Sequence, residues 1–296
     1  MNPKEIMLFL SLVLLFACNT KSPLSYLDPG PAPETATTFA KGEISTLGIR
    51  EGNVVLSPDG QLLLYISVDN ISGPQIYQRR FQKGQWSTAK RVSFSDQGEN
   101  YEPFFSQDGK SVYFVSNRST GKQWNGRIWQ VERQGQAWGE PKMLDIPVET
   151  DKGLWFPSVT RDGLVYFGAY LDKPENYGKS DIYSFNPTNG EISNLSPLNT
   201  EFEEWDPFIA PDESYMIFAS DRTGGFGAVD HYISFKAEGA WGIPVNMGPK
   251  INSSAYDVAA KVTPDQRFIL FDRPLKEDQD VYWIKADLIE ELRAQQ

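Results

Sequence analysis

Ser57-Pro58-Asp59-Gly60 is the first of five related tetrapeptides, and their spacing decides the fold. The others are Ser106-Gln107-Asp108-Gly109, Thr160-Arg161-Asp162-Gly163, Ala210-Pro211-Asp212-Glu213 and Thr263-Pro264-Asp265-Gln266. Their aspartates stand at 59, 108, 162, 212 and 265, in steps of 49, 54, 50 and 53 residues. A period near fifty built from strand-like segments marks a β-propeller. One such unit cannot bury both its faces, so the units close into a ring.

The rest of each repeat follows outward from the turn. An apolar run comes next, carrying Tyr65, Phe114, Phe167, Phe218 and Phe271 in matching slots. Short apolar runs rich in aromatic and β-branched residues read as buried strands. A third strand then places Tyr77, Trp129, Tyr183, Tyr232 and Tyr282 in equivalent positions, and a turn with Gly84/Trp86, Gly135/Trp138, Gly190/Ile192 or Gly239/Trp241 leads to the fourth. The non-glycine residues Glu213 and Gln266 predict altered turns in units four and five. The expected fold is all-β: a five-bladed β-propeller of four-stranded blades.

The fifth unit stops early. After Asp280–Trp283 the chain reads as a short C-terminal helix opened by Asp287. Its missing outer strand is expected from the other end. Gly42–Leu47 matches Gly190–Leu195, the outer-strand region of unit three, at five of six positions. An N-terminal strand there completes the last blade and removes an open edge.

The N-terminus carries a second signal. Lys4 precedes an apolar run ending Leu15-Phe16-Ala17-Cys18, which resembles the lipobox of a bacterial lipoprotein. Cys18, the only cysteine, is the expected lipidation site. The reading is a signal peptide over 1–17, a Pro-rich tether over 18–37 and a single propeller domain over 38–296, in a bacterial cell envelope, as an outer-membrane lipoprotein facing periplasm or surface. The net charge of −11, with no basic stripe, argues against nucleic acid and against charge-driven membrane binding. The membrane is reached through the lipid only.

These repeats resemble the TolB-like, WD-repeat-like β-propeller family over roughly residues 38–290. The resemblance is carried by the five turns, Ser220-Asp221-Arg222 with Gly224-Gly225-Phe226-Gly227, Asp181-Ile182-Tyr183, and Gly239-Ala240-Trp241 with Pro244-Val245-Asn246. It is specific for fold and poor for function.

Catalytic patterns are sparse. His231, the only histidine, fills a slot held elsewhere by Ile or Val and reads as structural. One histidine removes HExxH zinc sites and most His-dependent triads, and no nucleophile elbow or phosphate loop occurs. Carboxylates near the start of inner strands remain: Glu102, Glu204, Asp206 and Asp257. They read as solvated channel-mouth acids. The enzyme alternative, a glycoside hydrolase, would use Glu102 and Asp206 as its acid pair. No cofactor is expected, though the acidic mouth is compatible with a divalent cation.

Binding is expected on the face bearing the long loops and the blade-to-blade connections, opposite the tight turns. That face collects Arg118, Trp124, Trp155, Glu204, Trp205, Asp206, Arg222 and Asp257, together with Tyr101, Tyr177 and Tyr256. Aromatics with Arg suit a protein or glycan partner. The same aromatics also suit packing between blades. A non-catalytic binding or scaffold module recognising an envelope protein or glycan fits best.

Overall fold

The computed structural model describes residues 23–26, 31–69, 71–122, 125–149, 152–169, 179–274 and 279–296. Among the described residues the chain is all-β apart from a short C-terminal helix and two 3-10 turns. Cys18, Trp124 and Tyr177 lie outside the described residues, as do the other residues of 170–178.

Five antiparallel meanders follow one another along the chain. Their first strands are Arg50–Leu56, Asn100–Phe105, Leu154–Val159, Glu204–Ile209 and Val258–Val262. These strands adjoin in chain order, and the fifth lies beside the first. The five recurring aromatics of the second strands face those of the third strands as direct cross-strand partners: Tyr65 with Tyr77, Phe114 with Trp129, Phe167 with Tyr183, Phe218 with Tyr232 and Phe271 with Tyr282. Such pairs are the stabilising unit of a sheet. Phe114, Phe167, Phe218 and Phe271 are fully buried between units.

All five tetrapeptides form the same turn. The fourth residue donates its backbone N–H to the first residue's carbonyl: Gly60 to Ser57, Gly109 to Ser106, Gly163 to Thr160, Glu213 to Ala210 and Gln266 to Thr263. Glu213 (φ 59°) and Gln266 (φ 55°) adopt the left-handed conformation the glycines use, so these two turns are not altered as the sequence suggested. At Glu213 the side chain repays the strain by accepting from the Tyr166 hydroxyl of the preceding unit and from Lys236.

The outer strands differ from expectation in form. Only Glu191–Asn194 is continuous. In units one, two and four the outer edge is split into two-residue pieces, such as Gln85–Trp86 and Lys90–Arg91.

An N-terminal strand pairs with unit five, but not the expected one. Thr37–Thr38 runs antiparallel to Gln279–Lys285, with Thr37 opposite Trp283 and Thr38 opposite Tyr282. Gly42–Leu47 instead belongs to a turn. Ala40 (φ 48°) breaks the extended run, and its carbonyl accepts from the N–H groups of Glu43, Ile44 and Ser45. Ile44 is then buried, and the Ser45 hydroxyl both donates to the Val281 carbonyl and accepts from the Val281 N–H. Likeness to Gly190–Leu195 failed as a guide because these backbone groups find partners within the turn.

Much of the expected tether is part of the body. Lys285 donates to Pro33, and Ala36 to Lys250. Further back, Leu24 is fully buried among Leu56, Leu63, Phe268 and Trp283, and Trp86 Nε1 donates to the Pro23 carbonyl at 2.9 Å. The C-terminal helix Asp287–Arg293 begins at Asp287 and presses Leu288, Ile289 and Leu292 into the largest core cluster. No helix among the described residues is long and apolar enough to cross a membrane.

Phe39 carries much of the terminal packing: it is fully buried, edge-on to Trp283 at 5.4 Å. Phe39→Ala should cost about 3–5 kcal/mol in denaturant unfolding. Leu47→Ala, at 95% exposure, should stay within about 0.5 kcal/mol. Equal losses would show that the N-terminal segment does not anchor as described.

Candidate functional site

Each first strand carries a one-residue irregularity at the same place, after Gly52, Tyr101, Trp155, Trp205 and Val258. The next residue adopts left-handed φ in all five: Asn53 (53°), Glu102 (54°), Phe156 (54°), Asp206 (55°) and Ala259 (57°). None is glycine, so each position carries strain of order 1–3 kcal/mol. The bulge also reverses which way the following side chains point.

Three buried carboxylates hold these bulges across unit boundaries. Phe156 N–H donates to Glu102 Oε2 at 2.5 Å, and Ala259 N–H to Asp206 Oδ2 at 2.8 Å. Asn53 N–H reaches both carboxylate oxygens of Asp272, at 3.0 and 2.9 Å. Lys261 Nζ, also buried, donates to Asn53 Oδ1 at 2.8 Å. The expected reading of Glu102 and Asp206 as solvated acids is therefore wrong: they are 5% and 3% exposed and serve as acceptors for the neighbouring unit. The cavity they line with Lys261, Phe156 and Ala259 is about 10 Å³, room for a single water and not for a sugar ring.

Burial governs their chemistry. It pushes Glu102 up to about 8, against the pull of the Phe156 N–H and Lys261. Asp272 is pushed up to about 7 by the same cause. Asp206 is driven well above the usual carboxylate range by burial and then by Glu102. Lys261 is pulled down by burial.

The outer acids belong to a different construction. Two positions before the bulge stand Asn100, Glu204 and Asp257, and each pairs with an arginine stacked on the aromatic rows. Arg222 Nη2 meets Glu204 Oε1 at 2.8 Å and lies over the rings of Phe218 and Tyr232, at 5.2 and 4.7 Å. Arg273 meets Asp257 Oδ1 at 2.6 Å, over Phe271 and Tyr282. Arg118 donates to Asn100 Oδ1 at 2.7 Å, over Phe114 and Trp129. Glu204 also accepts from Thr200, and Asp257 from Ser253. Four expected ligand-binding residues, Arg118, Glu204, Arg222 and Asp257, are thus committed to internal stacks. Asp257 does not join Glu102 and Asp206, because the bulge separates the two sets and places Ala259 where the channel acid would be.

The residues next to three of the bulges are aromatic, and Tyr101 and Trp155 pack in part against the main core cluster. Trp155 and Trp205 are half-buried beside the bulges of units three and four, as is Tyr101 in unit two. Tyr101 and Trp155 meet edge to face at 5.7 Å, and the Tyr101 hydroxyl donates to Glu99 Oε2. The backbone is bare beneath two of these side chains: a Cβ at Gly126 would lie 3.4 Å from the Trp155 ring, and one at Gly168 3.6 Å from Trp205 Cβ. Glu203 stands half-buried beside Trp205, pushed up to about 7 by burial and by Asp221 and Glu204. Farther out, Tyr256 and Phe226 are 53% and 49% exposed. Their loops are zipped together: Val229 bridges Tyr256, and Ala228 N–H donates to the Ala255 carbonyl. His231 is fully buried, edge-on to Phe271, with its pKa held down at about 4 by burial.

Sequence reasoning missed Asp272, Lys261, Asn53 and Arg273. The legible signal was a charged residue in a slot that is apolar elsewhere: Asp272 stands where Ala219 and Val115 do, and Lys261 where Phe208 and Phe104 do. Among the described residues, no three His, Cys, Asp or Glu side chains cluster so as to hold a metal.

Comparison places this architecture among known folds. No family model and no curated protein matches the chain. Among solved structures, it is similar to a putative TolB from Agrobacterium tumefaciens, at 18% identity and a TM-score of 0.53, covering 80% of this chain and 77% of that one. It is also similar to a GH43_12 retrieved from capybara gut metagenome, at 11% identity and 0.51, covering 88% of this chain and 54% of that one. The tricorn protease matches at 16% identity and 0.50, covering 78% of this chain but 21% of the protease. These likenesses show the fold, a TolB-like β-propeller, and the fold alone.

Two predictions test the division of labour. Arg222→Ala leaves Glu204 buried without its ion pair and should cost about 3–5 kcal/mol by chemical denaturation. A loss under about 1 kcal/mol, as for a surface pair, would contradict the structural role. The channel acids set a pH dependence. Folded Glu102 and Asp272 keep protons that the unfolded chain releases above about pH 4–5. Stability from that protonation is full below this range and is lost as pH rises through about 7 and 8. His231 acts oppositely, but only between about 4 and its ordinary 6.5. Lys261 also acts oppositely, toward alkaline pH. From about pH 6.5 to about pH 8.5 the wild-type melting temperature should fall, and that of Glu102→Gln should fall less. Parallel curves would show that Glu102 does not titrate there.

Proposed function

We propose that this chain is a lipid-anchored binding propeller of a bacterial cell envelope, with no catalytic role, recognising a protein or glycan partner on its loop face. In this reading the five units are five blades of a closed ring. The Asp272–Asn53 contacts and the Thr37–Thr38 strand support the closure, both joining the fifth unit to the N-terminal part of the chain. Cys18 is the anchor.

One observation carries the binding assignment. At the loop-face ends of the inner strands the acids and arginines are occupied internally, and what remains presented is a row of half-buried aromatics, Tyr101, Trp155 and Trp205. Rigid aromatic side chains give large contact area at low entropy cost, and sugar rings and apolar side chains both stack on them. The glycoside hydrolase alternative needs two carboxylates facing a sugar. Glu102 and Asp206 face a space of about 10 Å³, which weighs against it.

The assignment is tested by capture from solubilised envelopes and by titration against envelope glycans. Trp155→Ala and Trp205→Ala should each weaken capture about tenfold or more, as loss of about 1.4 kcal/mol does. Gln85→Ala on the opposite face should change nothing. Melting curves must accompany the binding data, since both Trp side chains are partly buried. Hydrolysis of a glycan by wild-type protein, lost in Glu102→Gln and Asp206→Asn, would overturn the non-catalytic reading.

A further inference from the structure

The structure fixes where the N-terminal segment meets the body, and the place is specific. The Pro23 ring packs against the Ser57–Gly60 turn: a Cβ on Gly60 would lie 3.4 Å from Pro23 Cγ. The Pro23 carbonyl is held by Trp86 Nε1, on the outer hairpin of the same unit. Leu24 is fully buried in a cluster shared by units one and five, which includes Leu56 and Leu63 beside one tight turn and Phe268 beside another. All of these belong to the tight-turn face. Trp155, Trp205 and Tyr256 lie at the opposite ends of the strands.

Four residues, 19–22, separate Cys18 from Pro23. Five Cα steps of chain reach at most about 17 Å. An inner strand of six residues spans about 20 Å along its axis. A lipid on Cys18 can therefore bring the bilayer to the tight-turn face, while its leash is too short to carry the bilayer round the body to the aromatic face.

We propose that the tight-turn face is the membrane-facing surface of this protein, packed toward lipid headgroups, and that the aromatic face is held outward into the aqueous compartment. The proposal rests on lipidation of Cys18. It deepens the functional assignment, because the partner must then approach from the side away from the anchoring membrane. An integral component of that same bilayer reaches the aromatic face only if it projects past the thickness of the propeller.

The test uses the intact mature lipoprotein in phosphatidylethanolamine–phosphatidylglycerol vesicles containing a headgroup nitroxide quencher. Single cysteines are introduced by Gln85→Cys or Asn189→Cys on the tight-turn face, and by Tyr256→Cys on the aromatic face, and labelled with one thiol-reactive fluorophore. Lipidation keeps Cys18 from reacting. Quenching at 85 and 189 is expected to exceed that at 256 by about threefold or more, since contact quenching requires approach within a few ångströms. A twenty-residue Gly-Ser insertion after Thr20 should abolish the difference, because a flexible chain of that length reaches either face. Equal quenching at all three positions, or stronger quenching at 256, with Cys18 shown by mass spectrometry to be lipidated, overturns the orientation alone. An unmodified Cys18 thiol in the mature protein overturns the orientation and the anchor together. A threefold bias that persists with the long insertion overturns the leash argument, the tight turns then binding headgroups by themselves.

Discussion

A strained backbone position recurs at the centre of this protein, and the hydrogen bond that relieves it passes between units. Five first strands each take a left-handed residue where extended chain is expected, and three of those residues give their N–H to a buried carboxylate of another unit. The geometry links neighbours directly: Glu102 holds unit three, Asp206 holds unit five, and Asp272 ties the fifth unit to the first. An isolated unit would keep the strain and lose its partner. Stability is therefore a property of the assembly of units, since a single unit cannot supply the acceptors its own bulge needs.

This construction explains why acidic residues sit at the centre without a catalytic geometry around them. A carboxylate accepting a backbone N–H in a buried interior is a costly group, and its raised proton affinity reflects that cost. Lys261 offsets part of it. The outer acids solve a different problem: Glu204 and Asp257 neutralise guanidinium groups laid over aromatic rows, fixing the rims of units four and five. Charged side chains that look poised for a ligand are here the mortar between strands.

How much of this was readable beforehand depends on whether the information was local. The turn tetrapeptides, aromatic slots and strand order are carried by short segments repeated five times, and they stand in the structure as the sequence indicated, except that the turns at Glu213 and Gln266 keep the common geometry where altered turns were expected. The site was less legible. The bulge that separates Asp257 from the channel acids depends on register, which one sequence does not display. Asp272 approaches Asn53 across 219 residues of chain. Arg273 stacks on Tyr282 from two residues after Phe271, whereas Arg118 and Arg222 come four residues after Phe114 and Phe218, so no repeat alignment points to it. Gly42–Leu47 carried a strand-like hexapeptide that the chain spends on a turn.

The split outer edges have a consequence for how anything can join this molecule. A continuous exposed strand offers a row of free donors and acceptors onto which a foreign strand can zip. Units one, two and four end instead in two-residue fragments on either side of a kink, too short to template a ladder. Glu191–Asn194 is the longest uninterrupted run among the outer strands described, and it spans four residues. Recruitment by strand addition is thereby closed off around most of the circumference. Copies of the chain brought close together can then lie edge to edge without fusing their sheets.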